Sequence, residues 1–411
     1  MRFALAPHGT RGDVHPMIAL GERLCADGHE VVLCAPPDFQ PAAARAGLEL
    51  RPIGRPIEVL LGEGAADWAG GPLRAFRVFN ETLREALGAQ LAELPRAVAG
   101  ADLVVGAGLQ VGAPTVAELA GKPYRYFAYC PAMLESRHHA PALLPLAGLP
   151  PWTYGLAWRL VRASYNGWLR RAIEAGRRRV GLGPIGDVYE HVFTRAPLLA
   201  CDADLAPAPD DCRPRPIVTG YLEPRDDAAL SAEVEHFLGA GAPPVYVGFG
   251  SMPDGDPGRT TRAIVTALAA LGRRAILHRG GAGLGQGQLP ATVLAVGALP
   301  HGKLFPRVAA VVHHGGAGTT ATAARAGVPQ LVVPHIAEQH YWAGATRRLG
   351  VGGPPLPRTS LDARRLTEAL GSVLDDRGAV ARARALAARL ARHDPASRAA
   401  ELLVAAARAG R

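Results

Sequence analysis

The sequence predicts an α/β protein of two halves, each a parallel sheet wound with helices. Three observations carry this expectation. Short apolar runs rich in β-branched residues, such as Glu30–Ala35 and Val293–Val296, alternate with helical stretches through most of the chain. Glycine-rich turns follow such runs and open helices, most clearly over residues 309–327. Between the halves, Ala206–Pro216 (APAPDDCRPRP) is dense in proline and has no periodicity, as a linker should be.

Composition sets the bounds. The chain has 411 residues, 48% hydrophobic and 20% charged, an ordinary globular balance long enough for two or three domains. The formal charge is +9, but lysine is nearly absent and the arginines are spread through helices, with no run like a nucleic-acid-binding tail. The charge therefore reads as solvated surface or as attraction to an anionic ligand or membrane surface. Five cysteines, odd in number and without CxxC spacing, read as reduced core thiols and leave no metal site among them. No apolar run reaches the roughly 18–20 residues that span a bilayer, and the N-terminus begins a strand rather than a signal peptide. A cytoplasmic protein without stable membrane insertion is expected.

In chain order, residues 2–7 form the first strand. Pro16–Gly28 reads as a helix, with Pro16 in its first turn and Met17, Leu20 and Leu24 as its apolar stripe. Glu30–Ala35 is the next strand, so the chain opens as a βαβ unit. Residues 8–15 (HGTRGDVH) then form a loop at the carboxyl end of a strand, where Asp13 faces the ligand crevice. Two more strands are expected at Ala101–Gly106 and Tyr124–Tyr129, followed by an irregular stretch, Pro131–Pro151. A helical stretch over 152–182 carries Trp152, Tyr154, Trp158, Tyr165 and Trp168, either as helix-packing residues or as cover for an apolar ligand. The first half is expected over 1–205 and the linker over 206–216. A second half over 217–380 begins with a bridging strand at Ile217–Tyr221 and contains strands at Pro244–Gly250, Ala275–His278, Val293–Val296, Ala309–Val312 and Gln330–Val333. A helical tail occupies 381–411.

The stretch AAVVHHGGAGTTATAARAG, 309–327, carries the most chemistry. A strand runs into a side-chain-free turn and then a helix starting near Gly318 and stopping at Gly327. Outward N–H groups, the helix dipole and close approach over glycine make an anion site, suited to a phosphate or diphosphate. His314 adds a hydrogen bond at its lip, and Thr319 or Thr320 donates or caps the helix. Downstream, Glu338 and Gln339 follow another apolar run and belong at the same end of the sheet.

Four segments together carry one resemblance: GTRGDVHP (9–16), VGFGSM (247–252), HHGGAGTT (313–320) and PHIAEQ (334–339). In order and spacing they resemble the motifs of the family 1 type bacterial glycosyltransferases that act on antibiotics, macrolides, flavonoids and sterols. The resemblance implies the GT-B fold, two facing Rossmann-like domains with the acceptor bound mainly by the first and the nucleotide sugar mainly by the second. A C-terminal helix crosses back to the first domain. It also implies inversion at the anomeric carbon without a metal or other cofactor, the co-substrate being a UDP- or dTDP-sugar.

Carried onto these residues, the resemblance makes Asp13 the general base, with His8 and His15 as rivals. The bland alternative is an Asp13 that caps the helix beginning at Pro16. His314 and the backbone N–H groups of Gly316, Gly318 and Thr319 would hold the diphosphate, with Ser251 and Thr10 donating from the other side. Glu338 and Gln339 would hold the sugar hydroxyls, with Glu338 departing from the family's usual Asp. The nucleobase would lie against the loop Val296–His301, where the stacking Trp of plant relatives has no counterpart, leaving uridine and thymidine both open. His8, Trp152 and Trp158 are candidates for the acceptor side. The partners implied are a nucleotide sugar and a small hydrophobic acceptor, with no nucleic acid. Competing readings are a lipid-acceptor enzyme at membranes and a non-catalytic nucleotide-sugar-binding homologue. A dinucleotide oxidoreductase is disfavoured because no GxGxxG follows the first strand.

Overall fold

A computed structural model of the chain describes residues 1–57, 59, 72–142, 150–225, 228–336 and 338–410, with the backbone alone for 72–79. Residues 143–149 of the expected irregular stretch lie outside the described residues.

Two parallel sheets form the framework. The first has seven strands: β1 (Arg2–His8), β2 (Glu30–Ala35), β3 (Glu49–Pro52), β4 (Leu103–Gly108), β5 (Tyr124–Ala128), β6 (Leu198–Leu199) and β7 (Ile217–Val218). Their order is β3-β2-β1-β4-β5-β6-β7. The second contains β8 (Val245–Gly248), β9 (Ala275–His278), β10 (Val293–Val296), β11 (Ala310–His313) and β12 (Gln330–Val332), ordered β10-β9-β8-β11-β12. Every pairing is parallel.

Helices cover both faces, which is why the strands read as continuous apolar runs. In β1, Phe3 and Leu5 pack under α1 (Arg11–Ala26) and α2 (Gln40–Arg45). Ala4 and Ala6 face α3 (Pro72–Ala97) and α4 (Ala113–Leu119). Helices α5 (Tyr154–Arg179) and α6 (Val188–Phe193) extend this half. In the second half, α7 (Ala232–Gly239) lies on one face of the sheet and α8 (Pro257–Ala270) on the other. Then follow α9 (His301–Leu304), α10 (Ala317–Arg325), α11 (Gln339–Arg348), α12 (Ala363–Asp375), α13 (Arg377–Leu390) and α14 (Pro395–Ala409).

Three expectations need correction. Helix α1 begins at Arg11, not Pro16, because the Asp13 carboxylate accepts the Thr10 N–H at 2.8 Å and stabilises an earlier first turn. Pro16 is tolerated inside it so close to the N-terminus, where it forfeits one backbone bond. Ile217–Val218 pairs with Leu198–Leu199 and closes the edge of the first sheet, so the strand expected to open the second half belongs to the first. Residue 381 falls within α13, whose Ala383, Leu386 and Leu390 pack on Ala321 and Ala324 of α10. The element that crosses back is α14: Ala399, Ala400, Leu403 and Ala407 share a core with Leu20 and Leu24 of α1.

The halves touch directly. One core cluster holds Cys130, Trp158 and Tyr189 from the first together with Ala324, Trp342 and Ala345 from the second. Beside it Arg325 Nη2 donates to both carboxylate oxygens of Asp202, at 2.8 and 2.9 Å, and Asp202 is buried. Among the described residues no helix is long and apolar enough to cross a membrane. Asp202→Ala is expected to destabilise the protein by about 1–3 kcal/mol, because it leaves a largely buried guanidinium with only its longer ion pair to Glu223, at 3.7 Å. A denaturant titration checks this, and an unchanged midpoint would show that the pair does not hold the halves.

Candidate functional site

In both sheets the order reverses next to the first strand, between β1 and β4 and between β8 and β11. Connections leave such a point in opposite directions, so a crevice opens at the carboxyl ends of the two strands.

In the first sheet that point lies beneath Asp13. Its carboxylate accepts the Thr10 N–H at 2.8 Å and the Thr10 hydroxyl at 3.4 Å, while the Tyr129 hydroxyl donates to the Asp13 carbonyl at 2.7 Å. The end of β4 supplies the floor. A methyl group on Gly108 would lie 2.7 Å from Asp13 Oδ1 and would also strike the His8 carbonyl oxygen, and Gly108 has φ +65°. Only glycine serves there. Burial pushes the Asp13 carboxyl up to about 7, the Thr10 N–H opposes the shift, and the charge of Glu338 adds to it. Asp13 is thus near its midpoint at neutral pH, and Glu338 of the second half lies close enough to influence it.

In the second sheet the reversal lies between the turn after β8 and the turn after β11. The ring of His314 fills the gap: a methyl on Gly250 would lie 2.9 Å from its Cε1, and one on Gly316 would lie 2.5 Å from its Nε2. Its Nδ1 is buried without a hydrogen-bond partner, and burial lowers its pKa well below the ordinary value, so the ring is neutral. Gly316 is the N-cap of α10, and Gly318 and Thr319 sit in the first turn, whose N–H groups have no intrahelical acceptor. Thr320 is spent on the helix, its hydroxyl donating to the Gly316 carbonyl at 2.8 Å.

His313 is the residue the sequence reading missed. It is fully buried; Nε2 donates to Gln330 Oε1 at 2.9 Å and Nδ1 accepts the Gly315 N–H at 3.1 Å, which fixes the ring's tautomer and the turn's shape. The available signal was strand alternation: neighbouring residues at a strand end point to opposite sides, so one histidine of the pair supports the turn and the other faces the crevice.

The remaining candidates divide. Ser251 is exposed on the turn after β8, and Thr10 is engaged with Asp13. Val296 is buried and begins a loop that, with Glu233 of α7, lines a cavity of about 360 Å³. Glu338 is the N-cap of α11 and burial raises its carboxyl above the ordinary value, whereas Gln339 turns inward. Gln339 Oε1 accepts the N–H groups of His335 (2.7 Å) and Ile336 (3.1 Å), and its Nε2 donates to Met252 Sδ (3.3 Å), so it pins the loop rather than presenting its amide to a sugar. Trp158 is a core residue, 2% exposed, its indole N–H donating to the His139 carbonyl at 3.2 Å. Trp152 is 82% exposed at the surface before α5. His15 stands edge-on to Phe39, 6.1 Å between ring centroids. His8 is buried beneath the first crevice point. Among the described residues no group of three or more His, Cys, Asp or Glu is arranged to hold a metal ion.

Comparison with known proteins agrees with this architecture. Residues 3–136 match the Glycosyltransferase family 28 N-terminal domain, and residues 262–405 match the Erythromycin biosynthesis protein CIII-like, C-terminal domain. The chain is 40% identical to glycosyltransferase GtfE of Amycolatopsis orientalis, over 96% of this chain and 99% of that one. The chain belongs to the family 1 GT-B glycosyltransferases. It is also 39% identical to the vancomycin aglycone glucosyltransferase of the same organism, over 86% of this chain and 85% of the relative. Its fold matches that of Streptomyces sp. SF2575 glycosyltransferase SsfS6 complexed with thymidine diphosphate, with TM-score 0.67, 23% identity and coverage of 98% and 99% of the two chains. As a glycosyltransferase of this family it uses a nucleotide sugar, and its relatives include enzymes of antibiotic biosynthesis.

The raised carboxyl of Asp13 has a stability consequence for this glycosyltransferase. A carboxyl whose folded pKa lies above the ordinary 3.8 stabilises the fold below about pH 4, and that contribution is lost as pH rises through about 7. Asp13→Asn retains an acceptor for Thr10 and never ionises. Its melting temperature is therefore expected to exceed wild type by more at pH 8 than at pH 5, and a pH-independent difference would show that Asp13 is not so perturbed.

Proposed function

We propose that the enzyme transfers a hexose, glucose, from a UDP- or dTDP-sugar to a hydroxyl of a hydrophobic natural-product acceptor, with inversion. The observation that carries this reading is that the first turn of α10 meets the first half beside Asp13: Ala317 packs against the core cluster that contains Val14 and Tyr129, and the Tyr129 hydroxyl donates to the Asp13 carbonyl. In this reading the anomeric carbon and the attacking hydroxyl meet between the diphosphate cradle and Asp13. Glucose and a natural-product acceptor are supported by the vancomycin aglycone glucosyltransferase, and a pyrimidine nucleoside diphosphate by the thymidine diphosphate in SsfS6.

In this mechanism Asp13 takes the acceptor's proton as the new C–O bond forms. A carboxyl near 7 is a stronger base than an ordinary carboxylate and is still half ionised at neutral pH. Bond formation at the anomeric carbon expels the nucleoside diphosphate from the opposite face. Its charge falls on the His314 ring and on the N–H groups of Gly316, Gly318 and Thr319 at the positive end of α10. Each such bond to a charged oxygen is worth about 1.5–3 kcal/mol, enough in sum for departure without a divalent cation. Glu338 accepts hydrogen bonds from sugar hydroxyls, and the loop after Val296 receives the nucleobase.

Asp13→Asn is expected to lower turnover at least ~100-fold and to remove the rise in kcat/KM that wild type shows up to about pH 7. Near-normal turnover would exclude Asp13 as base. His314→Ala should weaken binding of free UDP or TDP roughly 10-fold or more, read by calorimetry, and unchanged affinity would remove His314 from the diphosphate site. Transfer is expected to persist in excess chelator. Activity that disappears there and returns with Mg²⁺ would contradict the metal-free scheme.

A further inference from the structure

Tyr221 stands on the segment that leaves β7 and leads into the second half. Gly220 before it has φ +90°, and a methyl there would lie 2.9 Å from Asp202 Oδ1, so the chain turns tightly past the Asp202–Arg325 pair. The next two side chains go to opposite halves. Leu222 joins the core of Val14 and Tyr129, whereas the Tyr221 ring packs in the core that holds Ala321 and Ala324 of α10. That ring reaches the first turn of α10: a methyl on Gly318 would lie 2.6 Å from Tyr221 Oη. The Cα–Cβ bonds of a helix tilt toward its N-terminus, so the hydroxyl stands at the end of α10 where the N–H groups of Gly318 and Thr319 have no intrahelical acceptor.

Tyr221 is 6% exposed, yet its hydroxyl makes no hydrogen bond among the described residues. Its neighbours in the first half are engaged. The Tyr126 hydroxyl donates to the Gly108 carbonyl at 2.6 Å, and the Tyr129 hydroxyl to the Asp13 carbonyl at 2.7 Å. The Tyr124 hydroxyl is unpaired and sealed inside the protein, whereas that of Tyr221 is not sealed off. A largely buried hydroxyl left open at a helix N-terminus is costly unless a group from outside the chain pairs with it. Burial, with the charge of Glu223, pushes the phenol up, so it stays protonated and donates. Beside it point further donors, the free N–H groups of the turn, so the group that satisfies them all is an anion.

We propose that the Tyr221 hydroxyl donates a hydrogen bond to the departing diphosphate, at an oxygen of the phosphoryl group that carries the sugar. The inference rests on the glycosyltransferase reading above and adds a catalytic residue supplied by the segment between the halves. On the same turn Ala317 packs against the core of Val14 and Tyr129, so the hydroxyl stands where the two halves meet. The sugar-bearing phosphoryl group belongs there, because the anomeric carbon has to reach the hydroxyl held at Asp13, while the nucleoside extends the other way to the loop after Val296. When the anomeric C–O bond breaks, its electron pair stays on the phosphoryl oxygen, the acceptor's proton goes to Asp13, and the phenol keeps its own proton. A donor already fixed in place stabilises that charge without rearranging.

The test uses the full chain and Tyr221→Phe, which keeps the ring and removes the hydroxyl, with UDP, UMP, TDP and TMP as probes read by calorimetry. Tyr221→Phe is expected to bind the diphosphate that wild type prefers roughly 10-fold or more weakly, the loss of one hydrogen bond to a charged oxygen, and to bind the matching monophosphate as wild type does. Without nucleotide it is expected to melt no lower than wild type, because no internal hydrogen bond is removed. Unchanged diphosphate affinity, or an equal loss for diphosphate and monophosphate, overturns the proposal. So does a variant that melts below wild type or fails to fold, since the hydroxyl is then engaged within the protein. Wild type separates the two failures: nucleotide binding that Tyr221→Phe leaves intact removes Tyr221 alone, whereas no binding of any nucleotide removes the diphosphate site and the reading on which this role rests.

Discussion

The site depends on close approach over backbone that carries no Cβ. At the first crevice point the Asp13 carboxylate rests against Gly108, and at the second the His314 ring is wedged between Gly250 and Gly316. A methyl group at Gly108 would displace the carboxylate, and one at Gly316 would displace the imidazole, without any change in the residues that carry the chemistry. The crevice of a doubly wound sheet provides the space, and glycine lets a functional group and a ligand occupy it together.

Electrostatics follows from that burial. Asp13 is pushed up to about 7 and His314 is held neutral, so burial reduces the fixed charge that these two groups carry. In the proposed mechanism the favourable field for the diphosphate comes from oriented backbone N–H groups, which need no reorganisation when charge develops on the leaving group. Opposed sites on separate halves work only if the halves keep their relation. The shared core around Trp158 and Trp342, the Asp202–Arg325 pair and the return of α14 onto α1 hold it.

The strands and the glycine turn were legible because their signals are local. β-Branched runs ending in Gly315-Gly316 allow few alternatives, and four motif segments in order pointed to the family. What escaped reading was set by contacts distant in sequence or by side-chain direction. Pro16 marked a helix start by propensity, yet the Thr10–Asp13 hydrogen bond starts α1 at Arg11, so capping and the proposed base role coincide in one carboxylate. Ile217–Val218 followed a proline-rich linker and read as the opening of the second half, but its pairing with β6 is visible only in the folded sheet. Trp158 and Gln339 had the right chemistry for ligands and are spent on the interior, since composition does not reveal which way a helix residue or a loop amide turns. His313 beside His314 shows the reverse, a residue without an assigned role that shapes the turn.

The central claim is that the second crevice point cradles a nucleoside diphosphate. The most direct measurement is the melting temperature of the purified protein with UDP, TDP and their glucose derivatives. A ligand that binds only the folded state adds about 2.7 kcal/mol of stability at a hundred times its dissociation constant. The account predicts a concentration-dependent rise with at least one of these nucleotides. No rise with any of them at millimolar concentration would contradict it, leaving the turn at 313–320 a structural feature of the sheet.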